Sequence, residues 1–145
     1  MLSICYMDIR TKERLIKLAE EEIPIHKHFG LKVEIVEKDF IKVRVPFRKD
    51  LVGDIRTNHW HGGIIATNLD SVGGAIGIAN FNSSEDKLST IDLRLDYLRF
   101  ADGNDLVFEG KLVRMGNRIM VTKMKAFQED VLVAEGKGVY NFIRA

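Results

Sequence analysis

His61-Gly62-Gly63-Ile64-Ile65-Ala66-Thr67-Asn68-Leu69-Asp70-Ser71-Val72-Gly73-Gly74 is the stretch from which the rest of the chain is best read. Paired glycines open an apolar run, and the run holds one carboxylate, Asp70. A carboxylate placed among apolar residues is costly unless it has a partner or a task. The run reads as a core helix whose first backbone N–H groups lack intrahelical acceptors and point at whatever precedes it, the outline of an oxyanion site at Gly62 and Gly63. At helical spacing Ile65, Leu69, Val72, Ile76 and Ala79 share a packing face. Ala66, Thr67, Asp70, Gly73, Gly74 and Gly77 share a second face, small and acidic, that can admit a ligand or another backbone.

The flanks supply a sheet. Asp8 is a candidate N-cap for a helix at about 8–23, with Leu15, Ile16, Leu18, Ala19 and Ile23 as its apolar stripe and Pro24 as its stop. From Leu31 the period shortens to two, which predicts strands at Leu31–Lys38 and Phe40–Pro46 joined through Asp39. A polar loop leads on to His61. Beyond the central helix, Ser89, Ile91, Leu93, Leu95 and Tyr97 alternate with Thr90, Asp92, Arg94 and Asp96. Strands follow at Leu106–Met115, Arg118–Gln128 and Val131–Ile143, and Gly116-Asn117 and Glu129-Asp130 are short enough for antiparallel hairpins. The pattern is α+β: one helix inside an antiparallel sheet, without βαβ alternation.

The 145 residues, 46% of them hydrophobic, are enough for one core, so a single domain over 1–145 is expected. The 22 basic and 21 acidic residues leave a net charge of +1 and form no basic block, so a nucleic-acid partner is not expected. A lone cysteine, Cys5, forms no intramolecular disulfide, and the start lacks a signal-peptide pattern; a cytoplasmic location is expected. Residues 62–81 are apolar, yet Asn68, Asp70 and the glycines argue for burial in protein rather than a membrane span.

His61-Gly62-Gly63 with Asp70, then Thr90-Ile91-Asp92-Leu93-Arg94-Leu95-Asp96-Tyr97-Leu98-Arg99, and the closing Ala134-Glu135-Gly136 resemble the hotdog-fold acyl-CoA thioesterases of the phenylacetate-pathway type, over roughly residues 24–140. The resemblance implies an antiparallel sheet wrapped around a central helix, and hydrolysis of an acyl-CoA thioester to a carboxylic acid and CoA. It implies a thioester carbonyl polarised by the backbone of Gly62 or Gly63, water activated or the carbonyl attacked by Asp70, and a hydroxyl at Thr90 or Ser71 to place the water. Such enzymes usually carry an asparagine shortly before the HGG triplet; here the candidates are Asp54 and Asn58. No cofactor is expected, CoA being part of the substrate.

Gly63 and Asp70 stand about 10 Å apart along one helix, too far to grip one carbonyl. Two helices lying antiparallel across a two-fold axis would join them, so a homodimer, or a dimer of dimers, is expected. Gly73, Gly74 and Gly77 are then expected at the subunit interface. Arg94, Arg99, Arg114 and Arg118 have the guanidinium geometry to meet CoA phosphates. His59 and His61, with His26 and His28, lack the carboxylate or cysteine pattern of a metal site, so none is expected. His61 is read as ordering its loop, with general-base chemistry the alternative. A dehydratase or hydratase using His61 and Asp70, and a non-catalytic acyl-CoA-binding regulator, are the competing functions.

Overall fold

A computed structural model describes residues 8–145, and Cys5 lies outside them. The Asp8 carboxylate accepts the Arg10 N–H at 3.2 Å and caps α1, Ile9–Lys17. The helix expected to continue to Ile23 widens instead into a π-helical turn, Leu18–Glu22. Pro24 does not simply stop it: proline has no N–H to lose at a first helical position, and here it opens α2, Pro24–Phe29. Gly30 ends α2 in the left-handed region (φ 68°). Leu15 and Ile16 carry this segment onto the core.

Six strands form one antiparallel sheet in the order β1-β2-β6-β7-β8-β5. They are β1 (Lys32–Val36), β2 (Phe40–Val45), β5 (Lys87–Tyr97), β6 (Leu106–Met115), β7 (Ile119–Gln128) and β8 (Val131–Ile143). Two short strands, β3 (Val52–Asp54) and β4 (His59–Trp60), pair in the stretch read as a polar loop. Glu129 and Asp130 both take positive φ (49° and 64°), as a tight two-residue hairpin turn requires. The central helix α3, Gly62–Ala79, packs against β2, β5, β6, β7 and β8. Leu69 and Ile76 are fully buried there, with Leu106, Phe108 and Met120 opposite. No helix among the described residues is long and apolar enough to cross a membrane.

Helix and sheet approach unusually closely, and glycines allow it. A Cβ on Gly110 of β6 would stand 2.6 Å from the Val72 carbonyl oxygen. A Cβ on Gly73 would stand 2.3 Å from the Tyr140 hydroxyl, and one on Gly77 would stand 2.7 Å from Leu88. Gly73 and Gly77 are buried in this way against the chain's own sheet, which corrects their expected place at an open face or subunit contact.

β5 also departs from the expected alternation. The β5–β8 register slips between Thr90 and Asp92, so Ile91 is an extra residue, 55% exposed. One inserted residue inverts side-chain parity in a strand. After it, Leu93 and Leu95 pack on the core; before it, Leu88 and Thr90 face the helix, and Ser89 does not.

Candidate active site

The start of α3 is held from several directions. Trp60 N–H donates to the Ala101 carbonyl and His61 N–H to the Leu51 carbonyl, each at 2.9 Å. Trp60 Nε1–H donates to Asn104 O at 2.9 Å, and Tyr97 O–H donates to Gly62 O at 2.7 Å. Partial desolvation of the hydroxyl, on a ring that is otherwise half exposed, pushes the Tyr97 phenol above its ordinary pKa.

His61 is the N-cap of α3, its Nδ1 accepting the Gly63 N–H at 2.9 Å. That bond requires a lone pair on Nδ1, so the neutral ring carries its proton on Nε2. Gly63 N–H is thereby engaged, and among the described residues Gly62 N–H donates to no protein acceptor. Gly62 also borders a groove of about 390 Å³ lined by His59, Ile65, Tyr97, Arg99 and Phe100. Phe100, 81% exposed, stacks on His59 with centroids 4.6 Å apart.

Further along α3, half-buried Asp70 faces β5 and β8. Thr90 Oγ1 donates to Asp70 Oδ1 at 3.1 Å and lies 3.4 Å from Oδ2. Tyr140 O–H reaches Asp70 Oδ1 at 3.1 Å and the Asp70 backbone carbonyl at 3.2 Å. Burial first, then the Asp70 charge and hydrogen bond, push the Tyr140 phenol far above its ordinary value, so it stays protonated.

Tyr140 is the residue that reading the sequence missed. It sits seventy positions from Asp70 in a strand where an aromatic reads as core. The signal was Gly138 two residues before it, since a Cβ there would stand 2.5 Å from the tyrosine ring.

The structure brings Asp70 and Thr90 together, with Gly62, Gly63 and His61 at the helix start. It does not bring the other candidates to Asp70. Ser71 lines a small apolar cavity of about 30 Å³ beneath Leu15, Ile16 and Ala19. Asp54 accepts the Arg56 N–H and guanidinium at 2.9–3.0 Å, and Arg56 holds its carboxyl below the usual range. Asn58 takes positive φ (57°), and its N–H donates to the Asp54 carbonyl. Both therefore shape the β3–β4 turn.

Arg99 borders the Gly62 groove. Arg94, exposed beside Asp96, lies on the sheet face away from α3, and Arg118 sits in the β6–β7 turn beside Asn141 and Arg144. Among the described residues no three His, Cys, Asp or Glu side chains converge as a metal-binding group would.

An antiparallel sheet holding one helix, with a glycine pair at the helix start and a carboxylate about two turns on, is the hotdog arrangement. The family model for the thioesterase superfamily matches residues 57–135, more than half of the chain. The chain belongs to the thioesterase superfamily, and it is a thioester hydrolase. The medium/long-chain acyl-CoA thioesterase YigI of Salmonella typhimurium is 32% identical over 149 residues, covering 91% of this chain and 96% of the relative. Its Escherichia coli K12 counterpart is 30% identical with the same coverage. A solved structure from Shewanella oneidensis, described as related to the thioesterase superfamily, is 29% identical. It superposes with a TM-score of 0.80, covering 93% of this chain and 99% of that one.

Proposed function

We propose that the protein is a cytoplasmic acyl-CoA thioesterase acting on medium- or long-chain acyl groups, with Asp70 as general base. One observation carries the reading: a half-buried carboxylate held by the Thr90 hydroxyl, on a helix whose first N–H has no acceptor among the described residues. The names of the relatives support the substrate class.

In this mechanism Asp70 takes a proton from a water placed by Thr90, and the oxygen adds to the thioester carbon. Gly62 N–H receives the charge that develops on the carbonyl oxygen. The C–S bond then breaks, and CoA leaves as the thiol with the proton returned from Asp70. One oxyanion donor contributes about 3 kcal/mol of transition-state stabilisation in comparable acyl-transfer sites. The reaction needs no cofactor, because CoA enters as part of the substrate.

Gly62 and Asp70 lie eight residues apart on one helix, about 12 Å along its axis. A second copy of the chain must supply one of them to each site. Edge strand β5 supports such a pairing: it is eleven residues long, unpaired on one side among the described residues, and carries exposed Ile91 and Tyr97. The groove beside Gly62, walled by Ile65 and Phe100 with Arg99 at hand, suits an apolar acyl chain next to an anionic carrier. The His61 ring, committed to Gly63 N–H, serves as a cap in this scheme and not as the base of a dehydratase.

A thiol-release assay over a panel of acyl-CoA esters tests the function; release no faster than in buffer would point to a binding protein. Asp70→Asn is expected to lower kcat at least ~10²-fold while leaving KM within a few fold. Near-normal kcat in that folded variant would refute the mechanism. A single turnover in ¹⁸O-water bears on the role of the carboxylate. A general base puts the label in the acid product, and label found in Asp70 would refute that role, since it requires an acyl–carboxyl anhydride opened at the Asp70 carbon.

A further inference from the structure

Asp70 is gripped from two sides, by Thr90 and by Tyr140, and the hydrolysis assigns no task to the tyrosine on its buried side. We infer that Tyr140 is a positioning residue for this reaction: it holds Asp70 by Oδ1 and by its backbone carbonyl, so that Oδ2 is the oxygen presented to water. This rests on the proposed role of Asp70 and takes it to the atom that reacts.

The tyrosine, 1% exposed, is closed off from substrate, so its effect must pass through the carboxylate. Its hydroxyl lies 3.1 Å from Oδ1 and 3.2 Å from the carbonyl oxygen of the same residue. Rotating the Asp70 side chain away would break the first contact while the second kept the hydroxyl in place. Thr90 Oγ1 is also nearer Oδ1 (3.1 Å) than Oδ2 (3.4 Å). Oδ1 therefore meets two hydroxyl donors, and among the described residues Oδ2 has only the longer Thr90 contact.

The surroundings are shaped for this hydroxyl. A Cβ on Gly73 would stand 2.3 Å from it and one on Gly138 2.6 Å, so two glycines on different elements clear its slot. Thr122 Oγ1, which donates to Met124 Sδ at 3.1 Å, borders the same slot, 2.8 Å from a Cβ on Gly73. Phenylalanine would fill the same volume with no polar atom to bury, and burying a hydroxyl is unfavourable unless it is bonded. Holding a reacting atom in place matters because a misplacement of about 1 Å can cost ~10²-fold in rate.

Tyr140→Phe keeps the ring and removes the donor. Its kcat is expected to fall roughly tenfold with KM within about twofold, while the thermal midpoint shows the protein folded. In the Asp70→Asn background the same change is expected to leave the residual rate unaltered, because the group it positions is gone. Equal proportional losses in both backgrounds would reveal a merely structural tyrosine and overturn the inference, as would an unchanged kcat in folded Tyr140→Phe.

Should that variant fail to fold, Gly138→Ala, whose Cβ would stand 2.6 Å from the hydroxyl, displaces it and is expected to lower kcat about two- to threefold at constant KM. No change in it overturns the inference. A wild-type protein that hydrolyses no acyl-CoA, or an Asp70→Asn variant at full rate, overturns the proposed function and this inference together. An active wild type, an impaired Asp70→Asn and an unaffected Tyr140→Phe overturn this inference alone.

Discussion

His26 shows how a single side chain can set a pH response. It is 6% exposed, its Nδ1 lies 3.2 Å from the Ala19 carbonyl, and burial lowers its pKa below the ordinary 6.5. Below that value the unfolded chain takes up a proton that the folded chain resists, so this contribution is present above about pH 6.5 and is lost as pH falls. The thermal midpoint is expected to drop between pH 7 and pH 5, and less so in His26→Gln, which keeps a donor but does not titrate. A parallel decline in both proteins would show that His26 is not the source. Asp54 and Asp86, held below the ordinary 3.8 by Arg56 and by backbone N–H groups respectively, act in a separate and more acidic window. At this scale the sequence showed which residue types carry chemistry but not their partners. Asp70 stood out as a carboxylate in an apolar run, whereas the bond between Gly63 N–H and the His61 ring depends on a rotamer that no spacing reveals.

Among elements, the long ones were legible to within a residue or two. β6 and β8 match the expected Leu106–Met115 and Val131–Ile143, because alternation and two-residue turns specify strands strongly. The two-strand hairpin at Val52–Trp60 escaped because strands this short carry no period. The bulge at Ile91 escaped because an extra residue leaves composition and hydrophobicity unchanged while inverting which side chains face in. The helix–sheet contact was misread as well: glycines on one helical face fit an open face and a close-packed one equally until Gly110 on β6 is seen beneath Val72. Gly110→Ala sets a methyl against a backbone carbonyl, which cannot rotate away. It is expected to cost about 1–3 kcal/mol in denaturant unfolding, with no comparable penalty for alanine at Gly103, where the nearest atoms stand 3.5 Å away. Equal stability of the two variants would contradict the packing described.

For the whole molecule, the decisive question is how many chains make one site. Sedimentation is expected to give at least a dimer. Mixing and reassembling Asp70→Asn with an inactive Gly62 variant is expected to restore part of the activity, since some mixed dimers contain one intact pair. A mass of one chain, or no recovery on reassembly of fully exchanged dimers, would sink the composite site. The open edge of β5 then has a consequence for dosage. An enzyme whose site exists only between two copies obeys mass action, so below its dissociation constant the active species varies with the square of the chain concentration. Halving the amount of protein in that range would cut turnover to about a quarter, giving acyl-thioester hydrolysis a threshold in protein abundance that a one-chain enzyme lacks.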